Sequence, residues 1–184
     1  MSKSALLVQD WQNGIVSHFH DHHHLVSAVI TAVPAARGAG VPVIFVRVAF
    51  SEGYHEISPR NRTFAAASQQ GGLTVIHSAT QIHASVQPHD NEPIVTKHRV
   101  SAFSGSNLDV NLRAKDIDTL ILTGIATSGV VLSTVREAAD KDFRITVLSD
   151  ACADPDPAVH HLLMEKVFPR QAEVLTTRRT ERAK

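Results

Sequence analysis

Polar residues or turn segments stand where four apolar runs of the chain end, and chemistry is expected at these positions. Asp10 ends the first run, Lys97 the third and Asp150 the fifth, while Gly124–Val130 joins the fourth run to a helix. Ligands of parallel α/β sheets bind beyond the carboxyl ends of the strands, and carboxyl and amino groups can transfer protons there. Taken alone, Asp10 is equally a helix cap or turn residue, and Lys97 is equally a solvated strand end.

The elements that must position these residues follow from the hydrophobic pattern. Six short runs are apolar on both faces, as is typical of buried parallel strands, and they cover 5–8, 42–48, 93–97, 119–124, 143–150 and 172–176. Segments with apolar residues three to four positions apart lie between them and predict helices at 25–36, 108–113, 130–139 and 157–167. The alternation predicts an α/β protein with a mostly parallel sheet.

One stretch, 49–80, interrupts this alternation and has little strand character. At about 30 residues it is too long for a plain loop. We interpret it as an excursion that carries a short helix near 64–69 and covers a pocket. The charged tail, 178–184, is expected to be frayed.

Composition limits the classes to which the chain can belong. It has 184 residues, 18 basic and 18 acidic side chains, and one cysteine. The length predicts a single domain, 1–184, and the zero net charge argues against nucleic-acid binding. One cysteine excludes an intrachain disulfide and a multi-cysteine metal site. Because no apolar run is long enough to span a bilayer, we expect a cytoplasmic protein that acts on a small molecule and does not bind membranes.

Four motifs occur in order along the chain. They are Asp10-x-Gln12-Asn13, Lys97 followed by Ser101-Ala-Phe-Ser-Gly105, Gly124-Ile-Ala-Thr127, and Leu148-Ser-Asp-Ala-Cys-Ala153. Together they resemble the motifs of the isochorismatase-like hydrolases, in the cysteine hydrolase superfamily. The resemblance implies a three-layer, Rossmann-like fold with helices on both faces of a six-stranded, mostly parallel sheet. It also suggests a homodimer or larger homo-oligomer, and we expect no cofactor.

The amide-cleaving members of that family use an Asp–Lys–Cys triad, which this chain matches only in part. Asp10 matches the acid/base carboxylate, Lys97 matches the lysine, and Val130 stands at the position of the nucleophilic cysteine. An ammonium beside a carboxylate holds it charged and in place, but valine offers no nucleophile. We interpret the lone cysteine, Cys152, as a small buried hydrophobic residue and not as a replacement nucleophile.

The turn after the fourth run keeps other features that the resemblance implies. They are a non-proline cis peptide bond between Ile125 and Ala126, and N–H groups of Ala126 and Val130 that bind an oxygen anion. Thr127 is expected to stabilise the turn. The isochorismate-cleaving branch lacks the cysteine and uses its Asp to protonate a vinyl ether carbon before water attacks. We therefore expect a hydrolase that works through Asp10, and the alternative is a catalytically silent member that binds a ligand or partner.

Further side chains are candidates for holding the substrate. Arginine pairs well with carboxylates, so Arg47, Arg60 and Arg62 favour a carboxylated substrate, although surface arginine is the alternative for each. The remaining candidates are Gln12, Trp11 and Phe103, and the two aromatic residues are otherwise ordinary core residues.

Five histidines lie within the seven residues 18–24. Imidazoles so close together can bind zinc, nickel or copper, which leaves a metal-dependent hydrolase as a third hypothesis. We prefer to interpret the cluster as a polar entry to the first helix. Metal-binding nicotinamidases place an Asp-x-His after the second strand, and 47–55 lacks it, so we expect no metal.

Overall fold

The computed structural model describes residues 3–19 and 23–178. Within them, six strands form one sheet: Ser4–Gln9 (β1), Val43–Val48 (β2), Ile94–Lys97 (β3), Thr119–Ile125 (β4), Arg144–Ala153 (β5) and Glu173–Leu175 (β6). The α-helices of the same residues are Asn13–Val16 (α1), His23–Gly38 (α2), Arg62–Gln70 (α3), Leu108–Arg113 (α4), Leu132–Asp140 (α5) and Pro157–Leu162 (α6). The predicted α/β class and its six strands are confirmed.

The order of the strands places β1 and β4 side by side at the centre of the sheet. The order is β3-β2-β1-β4-β5-β6, and every neighbouring pair is parallel. The chain moves outward from β1 to β3, returns to β4 and moves outward again on the other side. Gln9 is paired with Gly124, so the residues that follow β1 and β4 meet at this reversal, where ligands of such sheets bind.

Apolar side chains cover both faces of the sheet and form two main cores. On one face, Leu7 and Leu122 pack with Leu112 of α4 and Val135 of α5. On the other face, residues of β1 and β2 pack with α2, and this core contains Leu6, Val8, Phe45, Val29 and Val33. Successive residues of one strand thus enter opposite cores, which explains why the strands are apolar on both faces.

The excursion between β2 and β3 extends further along the chain than the sequence predicts. It contains α3 at the position of the predicted short helix, and also two 3₁₀ turns, Ser78–Thr80 and Ala84–Val86. Asn61 caps α3 because its side chain accepts a hydrogen bond from the N–H of Phe64. The Phe64 ring packs edge-on against Phe50, with the ring centroids 5.2 Å apart.

Two predicted boundaries are wrong. The helix predicted at 130–139 begins earlier, as a wide π-helical turn, Thr127–Val131. The helix predicted at 157–167 has the predicted bounds, although its last part, Leu163–Val167, is π-helical. Strand β5 continues to Ala153, so Asp150 does not end it. The Asp150 carboxylate instead accepts hydrogen bonds from the N–H and hydroxyl of Thr177, at 2.9 and 2.7 Å.

Two further expectations concern the ends and the environment of the chain. Most of the tail expected to be frayed, 179–184, lies outside the described residues. No helix in the described part of the chain is long and apolar enough to cross a membrane.

Candidate active site

The Asp10 carboxyl group lies directly after β1 and is buried. The residue has a left-handed backbone with φ of 57°, which is uncommon outside glycine and is tolerated best by Asn and Asp. Its Oδ2 lies 3.0 Å from Lys97 Nζ, whereas Oδ1 has no hydrogen-bond partner among the described residues. The second oxygen is therefore buried and unpaired within the described protein.

The Lys97 ammonium is held by three acceptors, although its side chain is almost fully buried. Besides the contact with Asp10 Oδ2, Nζ donates to the carbonyl oxygens of Arg99 and Val100 at 3.0 and 2.9 Å. An ammonium group has three N–H donors, so all of them are used. Lys97 is thus fixed in place and cannot pair with a second anion.

Burial determines how Asp10 titrates. Removal of the carboxyl group from water raises the pKa of Asp10 above its ordinary value of 3.8, and the charge and hydrogen bond of Lys97 oppose this effect. The proton is therefore retained at higher pH than in an exposed aspartate. A carboxyl group with a raised pKa is suited to act as a general acid.

The turn after β4, the strand next to β1, leaves one backbone hydrogen-bond donor unused. The peptide bond between Ile125 and Ala126 is cis, as the resemblance implies. The Ala126 carbonyl accepts from the N–H groups of Gly129 and Val131 at 3.1 and 3.3 Å, while in the described residues the Ala126 N–H has no acceptor. The turn can therefore donate a hydrogen bond to a substrate oxygen.

Two residues that sequence reasoning missed, Asp154 and His160, hold this turn from outside. The N–H of Ser128 donates to the Asp154 carboxylate at 2.6 Å, and Thr127 Oγ1 lies 2.8 Å from His160 Nδ1. Burial, and secondarily His161, lowers the pKa of His160, so its ring is neutral near pH 7. The sequence feature that could have identified both residues is their position just after β5, because β5 is the strand next to β4 and its end lies beside the turn.

Neither candidate position supplies a nucleophile. Val130 is buried in the core that also contains Phe103 and Leu122. Cys152 lies in β5, not beyond it, and its Sγ is 4.0 Å from the carbonyl oxygen of Leu122. Burial raises the pKa of the Cys152 thiol to about 12, so the thiolate that a nucleophile requires does not form near neutral pH.

The predicted uncharged binding residues make contacts within the protein, and Gln12 also lines a cavity. Gln12 uses its amide to bridge backbone groups: it donates to the carbonyl oxygens of Val48 and Thr80, and accepts from the N–H of Val48. Trp11 is buried in the core beneath α2. Phe103 packs on Phe143, with a centroid distance of 5.8 Å. The two aromatic rings therefore belong to the core.

The three predicted arginines lie apart from the Asp10–Lys97 pair. Arg47 lines a different cavity and donates to Thr96 Oγ1 and Gln81 Oε1 at 3.2 and 2.9 Å. Arg60 and Arg62 are exposed on the excursion. In the described residues none of the three has a hydrogen bond to the turn after β4, and the carboxylated substrate stays a prediction.

A cavity of about 480 Å³ opens at the turn after β4. Its buried wall includes Gln12, Val48 and Ile125, and the excursion contributes residues from Ala67 to Thr80. Segment 49–80 thus borders a cavity that adjoins the Asp10 strand end.

Among the side chains that the structure describes, in 3–19 and 27–178, no three of the metal-ligating types converge. Four of the five clustered histidines, within 20–24, lie outside this set. Of the remainder, His18 donates from Nδ1 to the carbonyl oxygen of Gly14, which is a local contact of the α1 turn.

The comparisons with known proteins agree with this architecture. The family model of the isochorismatase domain matches residues 4–179. The chain is 30% identical over 174 residues to the uncharacterized isochorismatase family protein YecD of Escherichia coli O157:H7, which covers 93% of this chain and 90% of that protein. It is 30% identical over 179 residues to the ureidoacrylate amidohydrolase RutB of Stutzerimonas stutzeri (strain A1501). That match covers 85% of this chain and 72% of RutB.

A solved structure shows the same fold. The cysteine hydrolase from Pseudomonas syringae pv. phaseolicola 1448A has a TM-score of 0.88 and 24% sequence identity, over 98% of this chain and 91% of that chain. The sheet, its helical layers and the polar strand ends are those of an isochorismatase-type hydrolase, in which helices cover both faces of a parallel sheet. The chain belongs to the isochorismatase family.

Proposed function

We propose that the chain hydrolyses a small molecule by acid/base catalysis at Asp10, without a covalent cysteine intermediate. The observation that carries this proposal is the buried Asp10 carboxyl group, with one oxygen held by Lys97 and the other without a partner. The relationship to an amidohydrolase supports hydrolysis as the reaction class. An enol ether, or a bond that ionises similarly, suits a site that offers a proton and no nucleophile.

In the proposed reaction, protonated Asp10 donates its proton to the terminal carbon of the enol ether. Water attacks the resulting oxocarbenium ion, and the Asp10 carboxylate takes up the proton that this water releases. The hydrated adduct then loses its ether oxygen as an alcohol and leaves a carbonyl product. In this scheme Lys97 orients Asp10, and the Ala126 N–H binds a substrate oxygen.

The test is turnover of isochorismate and of uncharged enol ethers by wild type, Asp10→Ala and the matched surface variant Asp140→Ala. Removal of a general acid costs about 10²–10⁴-fold in rate, and we expect that loss only for Asp10→Ala. Because the acid must carry its proton, the wild-type rate should decrease as pH rises through the raised pKa of Asp10. Equal rates in wild type and Asp10→Ala would exclude the assigned role.

The alternative, a catalytically silent member, is favoured by the buried valine at the nucleophile position. Val130→Cys, with Val135→Cys as a buried control on α5, separates the two hypotheses. Hydrolysis of nicotinamide or ureidoacrylate by Val130→Cys alone, with an inactive wild type, would support a site that has lost its chemistry. The homodimeric or larger homo-oligomeric state and the cytoplasmic location stay predictions.

A further inference from the structure

The cavity at the turn after β4 has a lining without ionised carboxylates, lysines or arginines. Its apolar part includes Ile15, Phe19, Val48, Leu73 and Ile125, and the single titratable side chain that lines it is His18. The residues 20–22, which follow Phe19, lie outside the described chain. The described wall therefore offers apolar surface and no fixed charge.

The polar side chains of the buried wall are already committed to the protein. The Gln12 amide bridges Val48 and Thr80, as described above. The Thr80 hydroxyl donates within the excursion and lies 2.8 Å from the carbonyl oxygens of Thr74 and His77. The Ala126 N–H is left over as a donor at the turn, and the Gln70 amide adds one at the exposed rim, which suits a neutral oxygen on an otherwise apolar ligand.

Among the described lining residues, a carboxylate in this cavity would find no lysine or arginine, and His18 uses its Nδ1 on the Gly14 carbonyl oxygen. Lys97 uses its three N–H donors, Arg47 lines another cavity, and Arg60 is exposed to solvent. Burying an ion without a partner costs several kcal/mol, about the magnitude of a whole binding energy for a small ligand. An uncharged ligand avoids that cost.

We infer that the substrate is an uncharged molecule with an apolar body and a single carbonyl or ether oxygen, and that its apolar part fills this cavity. That the ligand is a substrate rests on the proposed function, whereas the preference for an uncharged ligand follows from the cavity. The inferred ligand is uncharged, whereas the three arginines predict a carboxylated one.

The experiment is isothermal titration calorimetry with two matched pairs of probes, in which binding is read without turnover. The pairs are benzamide with 4-carbamoylbenzoate, and hexanamide with adipamate. We expect wild type to bind the uncharged member of each pair at least ten-fold more tightly than the carboxylated member. Equal or tighter binding of the carboxylated members, or no binding of any probe, would overturn the inference.

Two variants at the end of α3 sharpen the result, because both positions are exposed and tolerate lysine. Gln70 lines the cavity, whereas its neighbour Gln69 does not. Gln70→Lys supplies the missing cation and should raise the affinity for 4-carbamoylbenzoate about ten-fold, while Gln69→Lys should leave it unchanged. An identical response of the two variants would contradict the location of the site.

The two proposals fail separately. If wild type binds benzamide and hexanamide selectively but hydrolyses no enol ether, the charge class of the ligand stands and the Asp10 chemistry is wrong. If Asp10-dependent hydrolysis occurs while carboxylated probes bind more tightly, the proposed function stands and the inference about the cavity is wrong.

Discussion

Burial raises the pKa of two acidic groups of this molecule, and the two groups differ in their partners. Asp10 has Lys97 Nζ 3.0 Å away, and this partner opposes the effect of burial. Cys152 is buried against apolar residues and the Leu122 carbonyl, which leaves its thiol neutral. Strand-end positions identify Asp10 and Lys97 as neighbours from sequence. The inward packing of Trp11 and Phe103 is decided by tertiary contacts that one sequence does not contain.

We expect Cys152 to be unreactive in the folded protein. Because its pKa is raised to about 12, about one thiol in 10⁴ is ionised at pH 8, against roughly a quarter for an unperturbed thiol. Its access to solvent is also closed by the core. Reaction with a disulfide reagent at pH 8 should therefore be complete within minutes in denaturant and at least 100-fold slower in buffer. Comparable rates in the two conditions would show that the thiol is accessible.

The elements around the site are joined by close backbone approaches that the sequence pattern only partly indicates. Periodicity predicts β4 and the helix after it, but the π-helical turn at Thr127–Val131 depends on the contacts that Asp154 and His160 make from the next connection. Gly124 allows β4 to lie against Gln9: an added Cβ would be 3.0 Å from both the Cβ and the carbonyl oxygen of Gln9. A backbone atom cannot move aside as a side chain can.

Gly124→Ala should therefore destabilise the protein by about 1–3 kcal/mol, the usual cost of overpacking. Gly38→Ala, at the end of α2, is the matched control, since an added Cβ meets nothing within 4 Å. That variant should be more stable by about 0.4–1 kcal/mol, because alanine reduces the freedom of the unfolded chain. Urea denaturation of both variants gives the two free energies of unfolding. A Gly124→Ala protein as stable as wild type would refute the tight contact.

The whole molecule is stabilised by cores on both faces of one sheet, and this arrangement is the part that the sequence predicts best. Six runs that are apolar on both faces require cover on both sides, and the alternating helices provide it. The excursion is less predictable, since 49–93 is fixed by scattered contacts such as the Gln12 bridge and not by a repeating pattern. The sequence therefore indicates where the cavity lies but not which side chains line it.

Helix α4 offers a test of how strongly the core depends on a single side chain. Leu112 is fully buried, whereas Val110 on the same helix is 69% exposed. Leu112→Ala should reduce the free energy of unfolding by about 2–5 kcal/mol, and Val110→Ala should change it by less than about 0.5 kcal/mol. Thermal unfolding followed by circular dichroism measures both. Similar melting temperatures for the two variants would mean that α4 contributes little to the core.

Because the excursion is inserted between β2 and β3, sequence changes that alter the cavity wall are separated from changes that would alter the central strands. Strand β3 lies at the margin of the sheet and pairs only with β2 among the described strands, so additions or deletions in 67–79 leave the register of the central strands unaltered. Variation there reshapes the wall of the cavity while Asp10 and Lys97 keep their places. Laboratory evolution of new selectivity would therefore be most economical in a library confined to this segment, with the rest of the gene held constant.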